Sequence, residues 1–311
     1  MRTKKQKLTK QQRQKLIGLA IVVVALALSY FFPGLFGDEP AQLPDVQQPA
    51  SDAAPAEDAE PGTIHSVGAV YFIDVGQGDA SLIGSSGEYV LIDGGPGSAE
   101  DDLVAYLESL GIERFRAVIA THPHEDHIGG LDKVLARFPA DAFYMPDRDA
   151  TTVCFERMLD EVEAQNLEII IPEPGDTLSF GNAVLEFLSP ASGNSYEDTN
   201  DFSIVTRLTM GGLRVLFMGD AEKPVERDLL SAGAALECDV IKLGHHGSST
   251  SSSEEFLRAA SPDSAIISCA KENDYGHPHR ETIQMLTKLG IDWQCTYDGT
   301  IIIQPPLENA A

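Results

Sequence analysis

The sequence predicts a layered α/β sandwich, two sheets flanked by helices, preceded by a single N-terminal transmembrane helix. Three observations predict it. An uncharged run from Leu16 to Phe36 is long enough to cross a bilayer. After about His65, short β-rich apolar runs alternate with segments of helical periodicity, which suits strand hairpins mixed with helical crossovers. Histidines gather at the ends of several of those apolar runs, where ligands converge in layered α/β folds.

Residues 1–15 form a basic tail in which Arg2, Lys4, Lys5, Lys7, Lys10, Arg13 and Lys15 precede any acidic residue. Residues 16–36 follow as the expected signal anchor, with Tyr30, Phe31 and Phe32 at its far end as an interfacial aromatic belt. The excess of positive charge before the span keeps the tail in the cytoplasm and puts the remainder outside it. A cleaved signal peptide, with Ala27 and Ser29 near the cut, is the competing reading; the protein would then be secreted. Residues 37–62 are rich in Pro, Ala, Asp, Glu and Gln and bury too little to order themselves, so they read as a linker. The expected domain is 63–311.

The 311 residues carry a formal net charge of −26, and with seven of the 22 basic residues in the tail the rest holds 15 basic against 48 acidic side chains. A surface that acidic favours solubility after export and counts against tight, general nucleic-acid binding, although salt confines the effect to about 8 Å. Cys154, Cys238, Cys269 and Cys295 are scattered with no CxxC pair, which excludes a zinc ribbon; spacing does not choose among disulfide pairings, and buried free thiols suit a domain of this size.

Within the domain, strands are expected at 67–75, 80–83, 88–92 and 115–120, with a helix through Leu103, Tyr106, Leu107 and Leu110. A helix follows through Leu131, Val134, Leu135 and Phe138. Further strands are expected at 142–145, 167–171, 183–188, 203–209, 213–218, 239–243, 264–268 and 300–304, and helices at 152–165, 222–231, 253–260 and 280–289. No internal repeat is present.

The segment Thr121-His122-Pro123-His124-Glu125-Asp126-His127 places three histidines and an aspartate directly after an apolar strand. Imidazole suits zinc, iron and manganese, and a carboxylate can cap or bridge a second ion. An HxH pair can aim two rings at one metal while the following Asp-His pair turns towards another. Seven of the eight histidines fall in three clusters, the others being His245-His246 and His277/His279. Asp220 closes the run Leu213–Gly219 at a strand end; capping a helix near Glu222 is its competing role. Asp74 and Asp79 flank a glycine-rich turn, and Asp93 precedes Gly94-Gly95.

Six stretches occur in order: FIDVGQGDA (72–80), LIDGG (91–95), THPHEDHIGG (121–130), FMGDAE (217–222), KLGHHGSSTSSS (242–253) and YGHPH (275–279). Together they resemble the metallo-β-lactamase superfamily, and more narrowly the hydrolase domain at the C-terminus of ComEC competence proteins and its stand-alone relatives, over about residues 65–305. The resemblance implies the αββα sandwich of that fold and two divalent metal ions, zinc or manganese. His122 and His124 would hold the first ion, Asp126 and His127 the second, and Asp220 both. His245 or His246 would complete the second site. Asp93 would support the metal loop, Asp74, Asp79 and His279 would stand behind it or meet substrate, and Asp126 and His277 would act in catalysis. Many superfamily members have a further metal-ligating histidine before the bridging aspartate, whereas residues 128–244 here contain none. The relatives tend to have Asn and Ser there, as at Asn200 and Ser203. Fewer nitrogen donors weaken the preference for zinc and admit manganese.

Three functions follow as expectations. The first is a membrane-anchored extracytoplasmic phosphodiesterase or nuclease acting on DNA, as in competence-linked DNA uptake. The second is a hydrolase of small or cell-surface substrates, such as phosphorylcholine esters, other phosphodiesters or lactones, which the charge favours. The third is a non-catalytic binding protein. No protein partner is indicated.

Overall fold

The computed structural model describes residues 68–306; the tail at 1–15, the expected anchor at 16–36, the linker at 37–62 and His65 lie outside the described residues. Among the described residues no helix is long and apolar enough to cross a membrane.

The strands are β1 (Ala69–Phe72), β2 (Ser81–Ser85), β3 (Glu88–Ile92), β4 (Ala117–Ile119), β5 (Phe143–Tyr144), β6 (Ile169–Ile170), β7 (Thr177–Phe180), β8 (Ala183–Ser189), β9 (Val205–Met210), β10 (Leu213–Phe217), β11 (Val240–Lys242), β12 (Ser264–Ile267), β13 (Asp292–Cys295) and β14 (Ile301–Ile303). The α-helices are α1 (Glu100–Ser109), α2 (Glu125–Ile128), α3 (Leu131–Arg137), α4 (Val153–Ala164), α5 (Lys223–Ala232), α6 (Glu254–Ala260) and α7 (Arg280–Leu289). One sheet runs β14-β1-β2-β3-β4-β5-β6 and the other β13-β12-β11-β10-β9-β8-β7.

The period-two alternation of the strands builds the layers. In β1, Val70 and Phe72 face the second sheet, while Ala69 and Tyr71 face a helical layer made by Leu103 and Leu107 of α1, Leu131, Val134 and Leu135 of α3, and Phe155 and Met158 of α4. In β10, Val215 and Phe217 point between the sheets and Leu216 packs outward with Val225, Leu229, Phe256, Leu257 and Leu286 of α5, α6 and α7. Phe72 and Phe217 meet across the sandwich with ring centroids 5.8 Å apart, and Tyr144 stacks on Phe187 at 5.0 Å. Each fully buried aromatic of this kind contributes roughly 1.5–3 kcal/mol of transfer free energy.

Two strands lie outside the sequence expectation, β7 and β13. In β7, Leu178 and Phe180 are buried while Thr177 and Ser179 are exposed, so only two apolar residues mark it. Asp292–Cys295 is polar because it borders its sheet and buries only Cys295 fully. The expected strand at 67–75 ends at Phe72, where the chain turns through the glycine-rich stretch to β2. All four cysteines are buried free thiols.

Each sheet is half antiparallel and half parallel: β3 to β6 run parallel in one, β10 to β13 in the other. A crevice at the carboxyl ends of parallel strands is where such sheets place ligands. Asp93 follows β3, His122 follows β4, Asp220 follows β10, His245 and His246 follow β11, and Ser268 follows β12.

Candidate metal centre

Those strand ends converge on a cavity of about 370 Å³ lined by Gln77, His124, Glu125, Asp126, Asn200, Asp220, His245, His246, Tyr275 and His277. The loop after β4 is fixed from below. Asp79 N donates to the Asp126 carbonyl at 3.0 Å, and Gly78, with φ +146°, passes so close that a Cβ there would strike that carbonyl. His124 then stands at the start of α2, and Asp126 and His127 lie in its first turn.

The imidazole partners decide which ring nitrogens are free. A carboxylate or a carbonyl only accepts, so His127 Nδ1 donates to Asp93 Oδ2 (2.8 Å) and His246 Nδ1 donates to the Ser268 carbonyl (2.8 Å). Their Nε2 atoms, left as acceptors in the neutral rings, face each other 3.3 Å apart. Asp220 Oδ1 lies 3.2 Å from His127 Nε2, and Asp126 Oδ2 lies 3.2 Å from His246 Nε2. On the other side of Asp220, His122 Nε2 and His124 Nδ1 approach to 3.0 Å, with Asp220 Oδ2 3.9 Å from His122 Nε2. Two nitrogens on one tetrahedral ion, each at the usual 2.0–2.1 Å, would be separated by about 3.4 Å.

This donor set fits divalent cations. Lone pairs crowd together where nothing else neutralises them, and Asp220 Oδ1, buried, has no hydrogen-bond donor. Without a cation the electrostatics are frustrated. Burial alone would push His127 down, but the Asp220 and Asp93 carboxylates outweigh it and raise its pKa; burial, with His127 beside it, pushes His122 down. Burial opposes ionisation of Asp126, yet the His246 and His127 imidazoles beside it hold its carboxyl well below the usual range.

Proximity alone groups Asp79 with His127, Asp220 and His246, one donor atom from each falling within 4.8 Å of the others. The ring orientations would leave it outside the shell of an ion held by their free nitrogens. Asp79 approaches the Nδ1 edges of His246 and His127, at 3.6 and 3.8 Å, on the far side from their free nitrogens, and its Oδ2 is paired with the buried Lys242 ammonium. Asp126 takes that place. Asp93 adopts a left-handed backbone (φ +60°) and accepts from Thr121 N, Thr121 Oγ1 and His127 Nδ1, so one carboxylate ties the His127 ring to the end of β4.

The choice between His245 and His246 follows from the backbone. Both residues are left-handed, with φ of +48° and +52°, a strain on the order of 1–3 kcal/mol each. The tight turn sends His246 inward to the Asp126/His127/Asp220 group and leaves His245 on the cavity wall. There His245 Nδ1 donates to Glu222 Oε1 at 2.8 Å, and its Nε2 lies 3.9 Å from Asp220 Oδ2. Burial would lower the His245 pKa, but Glu222 and Asp220 raise it.

The remaining expected residues divide. Asn200 lines the cavity, its buried Oδ1 without a donor. Ser203 does not: its Oγ accepts from Asp220 N (3.0 Å) and lies 3.3 Å from His122 Nδ1, behind the ring. His277 lines the cavity; burial, with His246 and His245 beside it, pushes it down to about 4, so the ring is neutral at pH 7. His279 stands at the start of α7 and braces two loops, accepting from Ser249 N and donating to the Tyr275 carbonyl. Asp74 is exposed and away from the cavity, its Oδ1 accepting from Gly76 N to close the turn. Asp220 is not a helix cap; Glu222 occupies the N-cap position of α5. Gln77, Thr121, Glu222, Lys242 and Tyr275 join the site without being marked by residue type or spacing, although all five sit inside the six ordered stretches.

The family model described as the metallo-beta-lactamase superfamily matches residues 73–271. The chain is 31% identical over 246 residues to ComE operon protein 3 of Bacillus subtilis (strain 168), covering 73% of this chain and 32% of that one. It is 32% identical over 215 residues to the competence protein ComA of Neisseria gonorrhoeae, covering 68% of this chain and 28% of the other. The matched part thus spans about a third of the length of these curated relatives. Among solved structures, the metallo-beta-lactamase fold protein YhfI from Bacillus subtilis shares the fold, with a TM-score of 0.53 and 15% identity over 76% of this chain and 99% of that one. With a two-sheet αββα sandwich, a metal-competent donor cluster at its strand ends and a family match over most of its length, the chain belongs to the metallo-β-lactamase superfamily of metal-dependent hydrolases.

Proposed function

We propose that the protein is a two-metal phosphodiesterase, anchored in the membrane by residues 16–36 with its hydrolase domain outside the cytoplasm, and that its substrate is DNA or another nucleotide diester. The observation that carries the reading is the placement of Asp220 between two convergent donor groups, His122 with His124 on one side and Asp126, His127 and His246 on the other. The likeness to competence proteins supports a nucleic-acid diester over other esters.

When bound, two divalent ions, zinc or manganese, supply Lewis acidity: they activate water near neutral pH and neutralise the charge that develops on a phosphoryl oxygen. The protein's own groups do the rest. Asp93 fixes His127 and Thr121, and Ser203 fixes Asp220 and His122, so the donors are held before substrate arrives. His245, steadied by Glu222 and facing the cavity, is placed to pass a proton to the leaving oxygen. Neutral His277 suits a hydrogen bond to substrate better than that proton delivery, which leaves the acid role to His245. Asn200 completes the polar wall. Hydrolysis of a small ester is the second reading, favoured by the 15 basic against 48 acidic residues that follow the tail.

The test is a substrate panel on the full-length chain after chelation and reloading with Mn²⁺ or Zn²⁺. Cleavage of single-stranded DNA and bis-p-nitrophenyl phosphate, restored by Mn²⁺ at least as well as by Zn²⁺, is expected. Turnover of lactones or phosphorylcholine esters alone contradicts the substrate, and a C-terminal reporter active only in the cytoplasm contradicts the topology.

A further inference from the structure

We propose that Tyr275 is a stacking platform for a nucleobase at the mouth of the cavity, an inference that rests on the phosphodiesterase reading and narrows it to nucleotide diesters engaged one unstacked base at a time. Tyr275 is 65% exposed and borders the cavity. Its ring lies 20° from parallel with the His277 ring, centroids 5.6 Å apart, an offset stack that leaves most of the tyrosine to solvent. Among the described residues the other large exposed apolar side chains, such as Val153, Ile169 and Ile302, are aliphatic and do not border the cavity.

A lone exposed aromatic ring needs no explanation; this one is held in place by a built support. Asn273 Oδ1 accepts from Tyr275 N (3.1 Å) and His277 N (3.0 Å), while Asn273 Nδ2 donates to the carbonyls of Ala270 (2.9 Å) and His277 (2.7 Å). His279 Nε2 donates to the Tyr275 carbonyl from the opposite side at 3.2 Å, and His279 Nδ1 accepts from Ser249 N in the loop that carries His245 and His246. The platform is therefore rigid relative to the metal centre, and a ligand stacking on it would lose little extra loop entropy.

Polar atoms beside the ring point to the same ligand. His277, the ring stacked against Tyr275, is 8% exposed with its Nδ1 buried and without a hydrogen-bond partner, and deeper in the same cavity wall Gln77 Nε2 is likewise unpartnered. A base presents a flat π-face to the tyrosine and acceptor atoms at its edge, which an unpartnered amide donor can meet. A quaternary ammonium would instead require several ring faces around it, and Tyr275 offers one. Stacking also needs the base out of a duplex, and the net negative charge disfavours a long duplex track.

Isothermal titration of the full-length, Mn²⁺-loaded chain with thymidine 5′-monophosphate and with 2-deoxyribose 5-phosphate tests this. The nucleotide should bind about 5- to 150-fold more tightly, the range that base–aromatic stacking supplies. Tyr275→Phe should keep that preference and Tyr275→Ala should lose it. Equal affinity in the unsubstituted protein, no binding of the nucleotide, or a preference that survives Tyr275→Ala overturns the platform. Cleavage of a thymidine dinucleotide separates the two levels. Base preference without cleavage sinks the phosphodiesterase reading alone, whereas cleavage at an unchanged rate in Tyr275→Ala sinks the platform alone.

Discussion

The two halves of the donor cluster are built to different standards. Around His127 and His246 every second nitrogen is committed, to the Asp93 carboxylate and to the Ser268 carbonyl, and behind both rings lies the Lys242–Asp79 ion pair. Around His122 and His124 the support is lighter. His122 Nδ1 has only hydroxyl neighbours, Thr121 at 3.2 Å and Ser203 at 3.3 Å, and His124 is part-exposed on the cavity wall with its ring edge-on to His122. Two rings fully oriented by neighbours make a stiffer and more selective site than two rings of which one is open to solvent. We therefore expect the His127/His246 half to hold its ion tightly and the His122/His124 half to exchange its ion.

Removing a donor from each half gives the largest contrast. His127→Ala should lose the tight ion and cut turnover on the order of 10³-fold, the several kcal/mol of charge stabilisation a metal supplies, while His122→Ala should lose the other ion and keep the first. Elemental analysis beside activity checks this, and loss of the same ion from both variants breaks the division. Asp93→Asn acts behind the tight half: it should weaken metal affinity or activity about 10- to 100-fold. An equal change in both ions' affinities would mean that Asp93 braces the whole loop rather than His127.

Chelation should then proceed in two steps. An ion present at 100 times its Kd adds about 2.7 kcal/mol to stability, so unfolding midpoints should fall first as the exchangeable ion leaves and again when the tight one follows. A single step would make the halves equivalent.

The smallest expected effect lies on the His245 side. Asp201 accepts from Glu222 N at 3.0 Å, and burial pushes its carboxyl up to about 6, from about 3.9 in an unfolded chain. The folded state thus holds the proton more firmly. The stability this contributes is complete below about pH 4 and is lost as pH rises through about 6. Denaturant midpoints should fall across that window in the unsubstituted protein and stay flatter in Asp201→Asn; parallel curves would remove Asp201 as the cause.

The same contrast explains what was legible in the sequence. His122, His124, Asp126 and His127 share one loop after an apolar strand, so their spacing reveals a metal-type cluster without any knowledge of the fold. The long helices were legible for a similar reason: α7 carries its apolar positions at helical spacing and ends at Gly290 in a left-handed cap. What could not be read depends on tertiary geometry. Asp79 and Lys242 are 163 residues apart and meet only because β11 ends beneath the turn before β2. Two adjacent histidines are equivalent on paper, and only two successive left-handed residues separate their rings. Ser203 is marked by the resemblance alone, and only the fold shows its Oγ accepting from Asp220 N behind His122. Strand β13 carries no apolar run in the sequence because an edge strand need not be apolar.

Among the described residues Asp220 is the one carboxylate whose oxygens lie towards both halves, at 3.2 Å from His127 Nε2 and 3.9 Å from His122 Nε2. The most direct test is the metal content of the full-length chain and of Asp220→Ala, measured by elemental analysis after saturation with Mn²⁺ and removal of loosely held ions. The shared-carboxylate centre predicts two ions per chain in the unsubstituted protein and at most one, with activity abolished, in the variant. Two tightly bound ions in Asp220→Ala would contradict it.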